Sequence, residues 1–195
     1  MSSERLTKVI ERIDALNSAD PNQELVDGLP HPRELGYSQR LTDWVLRLKP
    51  DASEALRIAA RGQHIRRWTI PRARYEMNRR GYLRWRETLK AFHAEQVAQL
   101  MQEAGYPEDM IQRVRAIMSK RRFEDDSETQ TLEDALCLVF LETQFDELRQ
   151  KTPDEKMRDI VVKTWQKMGD KGRAEALKLK LPDEVRAWIA QAASS

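Results

Sequence analysis

In a chain of 195 residues, 34 basic and 32 acidic side chains nearly cancel to a formal charge of +2, so the composition excludes both a polybasic tail and an acidic solvating segment. No apolar run reaches the roughly 18–20 residues that cross a bilayer, and Met1-Ser2-Ser3-Glu4-Arg5 lacks the apolar stretch of a secretory leader. Cys137 is the only cysteine, which rules out an intrachain disulfide, and the expectation is a cytoplasmic protein.

Helical periodicity dominates, and the class it predicts is all-α. A first helix spans 3–16, with Leu6, Val9, Ile10, Ile13 and Leu16 as its apolar stripe. An irregular stretch follows through Pro32. A second helix runs over 33–48 and stops before Pro50. A third starts at an Asp51/Ser53 cap and carries Leu56, Ile58, Ala59 and Ala60 toward Trp68. Residues 69–81 read as an arginine-rich, aromatic loop. A long helix covers 82–104 and ends at Gly105. Pro107 opens the next, which reaches Lys120. Residues 124–128 read as an exposed acidic connection, and 131–148 as the most apolar, central helix. Shorter helices begin near Pro153, Asp170 and Pro182. The expected organisation is one domain over 1–195: an N-terminal helix and loop (1–32), a core (33–150) and a C-terminal helical extension (151–195).

Three predicted helices carry a polar residue on an apolar stripe. Leu56, Ala60 and His64 share a spacing of four, His93 shares a face with Leu89, Val97 and Leu100, and Asp134 stacks with Leu138 and Leu141. A buried carboxylate needs a partner or a cation. Imidazole and carboxylate are ligands for divalent transition metals, so His64, His93 and Asp134 form a candidate metal set. The alternative is structural: core histidines bonded to backbone carbonyls, and Asp134 paired with an arginine. Glu133 faces another side of its helix, as a surface or supporting group, and joins His64 and Asp134 as a catalytic candidate. His31 sits in a proline-flanked loop without periodic context, and Cys137 reads as a small core residue.

Arg61, Arg66, Arg67, Arg72, Arg74, Arg79, Arg80, Arg84 and Arg86 crowd one segment, interleaved with Trp68, Tyr75, Tyr82 and Trp85. Guanidinium groups bind phosphate bidentately and stack on aromatic rings. The segment therefore reads as an anion site beside His64, with Arg66, Arg67, Arg72, Arg74 and Trp68 as ligand contacts. A nucleotide, another phosphorylated small molecule or an RNA backbone would suit it. Pairing of these arginines with distant acids is the alternative. Lys120-Arg121-Arg122 adds a second basic wall or complements a helix C-terminus. A glycine-rich phosphate loop, a nucleophile elbow and a paired-cysteine zinc motif are all absent from the sequence.

The runs Gln63-His64-Ile65-Arg66-Arg67-Trp68, Ile70-Pro71-Arg72, Gly81-Tyr82-Leu83-Arg84-Trp85-Arg86 and Leu132-Glu133-Asp134-Ala135-Leu136-Cys137-Leu138-Val139-Phe140-Leu141-Glu142 resemble a family catalogued as domain of unknown function 4202. Members are sometimes labelled glutamyl-tRNA synthetase. The sequence does not support that label, because the chain is short and lacks both a nucleotide-binding signature and a parallel-sheet pattern. More distantly, the order of elements resembles the HD superfamily of metal-dependent phosphohydrolases. That resemblance implies an HD-like helical bundle with ligands at His64, His93 and Asp134. Tyr37 stands where that family has its early histidine, and Ile65 where it has the paired aspartate. The functional expectation is a metal-dependent phosphohydrolase using a divalent ion of unknown identity. The alternative is a non-catalytic HD-like binder of a phosphorylated ligand or RNA.

Overall fold

The computed structural model describes residues 3–120 and 126–193. Among them are ten α-helices and one two-stranded antiparallel hairpin, and the chain is mostly all-α. Helix α1 (Glu4–Asn17) starts where the Ser3 hydroxyl accepts a hydrogen bond from the Leu6 N–H, and it buries Leu6, Val9 and Ile13. The stretch expected to be irregular contains β1 (Gln23–Val26) and β2 (Leu29–Pro32), with Val26 opposite Leu29. Asp27 and Gly28 both have positive φ, 51° and 78°, as the tight turn requires. The hairpin was invisible to periodicity because its strands lie largely open to solvent, Leu25 being 76 % exposed. The Asp27-Gly28 pair was the available signal.

Helix α2 (Arg33–Leu48) follows directly. Helix α3 (Glu54–Gly62) is capped by Ser53, and it ends at Gly62 instead of continuing to Trp68. His64 therefore does not extend the Leu56–Ala60 stripe. It lies in the turn beyond, just before Arg66 takes a left-handed conformation (φ 51°) and single 3₁₀ turns form at Arg67–Thr69 and Arg72–Arg74. Asn78 caps α4 (Arg79–Glu103) by accepting from the Gly81 N–H, so this helix begins three residues earlier than the sequence suggested. Gly105 (φ 76°) lies beyond its end, and α5 (Glu108–Met118) follows Pro107.

Of the acidic connection, Glu124 and Asp125 lie outside the described residues. Asp126 is no exposed linker: its carboxylate accepts from the Thr129 N–H at 3.1 Å and from both terminal nitrogens of Arg113, at 2.7 and 2.8 Å. It thereby caps α6 (Ser127–Val139). That helix passes through one π-helical turn (Phe140–Gln144) into α7 (Phe145–Arg149). Helices α8 (Asp154–Lys167), α9 (Asp170–Ala176) and α10 (Asp183–Ala193) complete the chain.

Packing follows side-chain size. Helix α3 buries Ala55, Ala59 and Ala60, small enough for α1, α2, α4, α5 and α6 to gather around it. Helix α6 lies against α2, α3, α5, α8 and α9, and α8 pairs with α10. One buried apolar cluster runs from Leu6 to Ile189. Each fully buried leucine or isoleucine in it contributes about 1.5–3 kcal/mol. None of the described helices is long and apolar enough to cross a membrane.

Candidate functional site

Two of the three polar residues from the sequence come together. The rings of His64 and His93 lie 5.9 Å apart, tilted by 44°. His64 is held on two sides by α2. Tyr37 stacks on its ring at 3.9 Å and 9°, and one turn earlier Glu34 places Oε2 3.0 Å from Nδ1. Tyr37 thus clamps His64 in place. Glu34 is anchored in turn, because the buried Asp20 carboxylate accepts from its backbone N–H at 3.0 Å. The buried side chain of Asn17 accepts from the Arg66 N–H, which pins the left-handed turn after His64 to the end of α1.

Sequence reasoning missed Glu34, Asp20 and Asn17. The first reads as an ordinary first-turn acid, and the other two as turn residues. Only the fold shows that they converge, through contacts that span 14 to 49 positions.

Burial governs the electrostatics of the cluster. It raises the Glu34 carboxyl to about 7, against the pull of Arg67, Arg33 and Arg40. It lowers His64 well below the usual imidazole range, with help from Arg67, Arg86 and Lys120. Burial, then His64 and Arg67, brings His93 down to about 2. Both imidazoles are therefore neutral at neutral pH, while Glu34 is close to its titration point.

Asp134 is not part of this cluster. Its Oδ1 accepts from the Gly169 N–H at 2.8 Å and from the Gln130 amide at 2.7 Å, and the Gly172 N–H points to the same carboxylate. The side chain caps the start of α9 from across the helix interface and does not line the cavity at the histidines. Burial raises its pKa despite these donors. Among the described residues no group of three or more His, Cys, Asp and Glu side chains could hold a metal ion. The donor set His64, His93 and Asp134 thus does not fit an ion, because its carboxylate is engaged elsewhere.

Glu133, read from the sequence as a surface or supporting group and a catalytic candidate, is buried. It lines the cavity and pairs with Lys120 at 2.6 Å. Lys120 reaches it from a left-handed backbone position (φ 52°) just past α5, an uncommon conformation for a lysine. Arg121 and Arg122 lie outside the described residues. Cys137 has its thiol pushed up to about 12 by burial, consistent with a packed, unreactive group.

The arginine-rich segment divides. Arg67 borders the site, its guanidinium 4.6 Å from the Trp85 ring centre and its Nε 3.7 Å from Glu34. Arg72 and Trp68 line the outer part of the cleft, although Arg72 donates to the carbonyls of Tyr75, Glu76 and Asn78 and so braces the loop. Arg66 turns to Gln96 and Arg74 to the Thr69 carbonyl, and neither lines the cleft. Arg61 makes a bidentate pair with Asp14. Pairing within the fold accounts for these last three.

The cleft has two chambers that meet at Tyr37, His64, Arg67, Phe140 and Gln144. The inner one, of about 370 Å³, holds His93, Gln63, Lys90, Lys120, Glu133 and Lys167. The outer one, of about 810 Å³, opens toward Arg33, Arg40, Arg72, Trp68 and Lys151. Nine lysines and arginines face five carboxylates over both, so the cleft is electropositive although the chain is almost neutral. The π-helical turn supplies Phe140 and Gln144 at the junction, and such turns frequently mark functional sites.

The sequence pattern of a family described as Domain of unknown function (DUF4202) matches residues 7–189. The chain belongs to that family. The match takes in all ten helices except the first turn of α1 and the last residues of α10, and with them every residue of the cleft. No curated protein and no solved structure matches the chain.

Proposed function

We propose that this protein binds a phosphorylated small molecule in the two-chambered cleft. The observation that carries the reading is the convergence of Arg67, Arg86, Lys90, Lys120 and Lys167 on one inner chamber whose two histidines are neutral. Glu133 offsets Lys120 and Glu34 approaches Arg67, but the cations on this wall still outnumber the carboxylates; a phosphate dianion supplies the balance, and the partly enclosed setting strengthens each contact. An RNA backbone fits less well, because Arg66, Arg72 and Arg74 are already engaged with Gln96 and with loop carbonyls. Calorimetric titration with inorganic phosphate, nucleoside monophosphates and sugar phosphates tests the proposal. At least one should bind, and Arg67→Ala and Lys120→Ala should each weaken it roughly tenfold or more, the effect of one charge-assisted hydrogen bond. Absence of binding across the panel refutes it.

A phosphohydrolase is the second reading, favoured by the Glu34–His64 pair. With Nδ1–H donating to an ionised Glu34 carboxylate, the lone pair of the neutral ring lies on Nε2, the atom that would act as a base toward a water molecule. A metal-dependent version would need a ligand other than Asp134. Release of inorganic phosphate that disappears in His64→Gln, measured with and without added divalent cations, would establish this reading.

A further inference from the structure

The chain has five tryptophans, and four of them are engaged within the fold. Trp44 donates to Glu142 and lies under Arg47, while Trp85 donates to the Ile70 carbonyl and lies under Arg67. Trp165 is buried beneath Arg173, and Trp188 packs against the apolar core. Trp68 does none of these. It is half-buried, stands outside the core cluster and lines the outer chamber. Among the described residues it has no hydrogen-bond, ring or cation partner.

The turn that carries Trp68 is braced. Asn17 accepts from the Arg66 N–H, the Thr69 N–H and hydroxyl both return to the Arg66 carbonyl, and the Trp85 indole holds the Ile70 carbonyl at 2.8 Å. A large ring on a fixed turn loses little freedom when a flat partner stacks on it. Arg67, the residue before Trp68, lines both chambers, so a ligand whose phosphate meets Arg67 can extend past it into the outer one. That chamber sets apolar surface from Ile70, Pro71 and Phe140 among the guanidinium groups of Arg33, Arg40 and Arg72. An aromatic ring suits both kinds of neighbour, because its faces attract cations as well as other rings.

We infer that the ligand of this cleft is a phosphorylated compound bearing a flat aromatic ring, which stacks on the Trp68 indole in the outer chamber while its phosphate lies among the cations of the inner one. This rests on the proposed phosphate binding and narrows it to a chemical class.

Calorimetry on the full chain compares adenosine monophosphate, cytidine monophosphate and phenyl phosphate with ribose 5-phosphate and inorganic phosphate. At least one ring-bearing compound should bind about tenfold more tightly than the two without a ring. Trp68→Leu should abolish that preference and leave the ribose 5-phosphate affinity in place. The favoured compound should also quench tryptophan emission, and most of that quench should vanish in Trp68→Phe, which still binds. Circular dichroism checks that both variants fold, and the quench in Trp68→Phe decides if Trp68→Leu does not. A preference shared by phenyl phosphate assigns the platform to any flat ring, and one confined to the nucleotides narrows it to a nucleobase. Equal affinities with and without a ring, a preference unchanged in folded Trp68→Leu, or a quench unchanged in Trp68→Phe overturns the inference and leaves phosphate binding standing. Binding of no phosphate at all overturns both.

Discussion

At the scale of single residues, His93 is a group whose titration is strongly displaced by burial. An imidazole whose folded pKa lies near 2 and whose unfolded value is 6.5 contributes stability that is fully present above pH 6.5 and is lost as the pH falls below it. The slope is about 1.4 kcal/mol per pH unit. Glu34 works in the opposite direction. Raised from 4.5 to about 7, its stabilising protonated form is fully present below pH 4.5 and is lost as the pH rises through 7. Between pH 6.5 and 4.5 the stability advantage of the unmodified protein over His93→Leu should therefore shrink, whereas its advantage over Glu34→Gln should grow. Urea unfolding at several pH values measures both. A difference between wild type and His93→Leu that stays constant with pH would contradict a buried neutral ring.

Elements meet at residues whose importance is not apparent within their own helix. Asp134 is the clearest case, because it belongs to α6 yet satisfies the backbone donors that open α9. Asp134→Ala should cost about 1–3 kcal/mol through the orphaned N–H groups. Gly172→Ala should cost a similar amount, about 1–3 kcal/mol by overpacking, since its Cβ would stand 2.6 Å from the Asp134 carboxyl carbon. Neither should change phosphate affinity in protein that remains folded. Chemical denaturation paired with calorimetry checks this, and lost binding in folded Asp134→Ala would return that residue to the site. The turn after α3 shows the same principle. Its helix stops at Gly62, and Asn17 of α1 fixes what comes next.

For the whole molecule, the arrangement of charge matters more than its sum. A chain of formal charge +2 gathers nine cations against five carboxylates in one cleft, so its local field is far stronger than its net charge implies. Phosphate affinity should fall about three- to tenfold between 50 and 500 mM salt, as screening shortens the reach of the outer cations. Calorimetry at matched pH would show it. Salt-independent binding would mean that the outer chamber takes no part.

The helices were legible because their causes are local. A bond from each residue to the fourth before it makes the stripes of α1, α2, α5 and α6 readable, while Ser53 marks the start of α3, Gly105 the end of α4 and Pro107 the start of α5. The hairpin was less legible because exposed strands bury nothing that would impose alternation. Periodicity also brought out His64, His93 and Asp134 as polar residues near apolar faces. It could not say which of them would meet, and it extended α3 past its true end. That was decided by tertiary contacts: Asp20 orienting Glu34, Tyr37 clamping His64, and Lys120 reaching Glu133. It likewise assigned Asp134 to α9. A helix is set by interactions a few residues apart, whereas this site is made by side chains from Glu34 to Lys167, which only packing brings within hydrogen-bonding distance or onto one cavity wall.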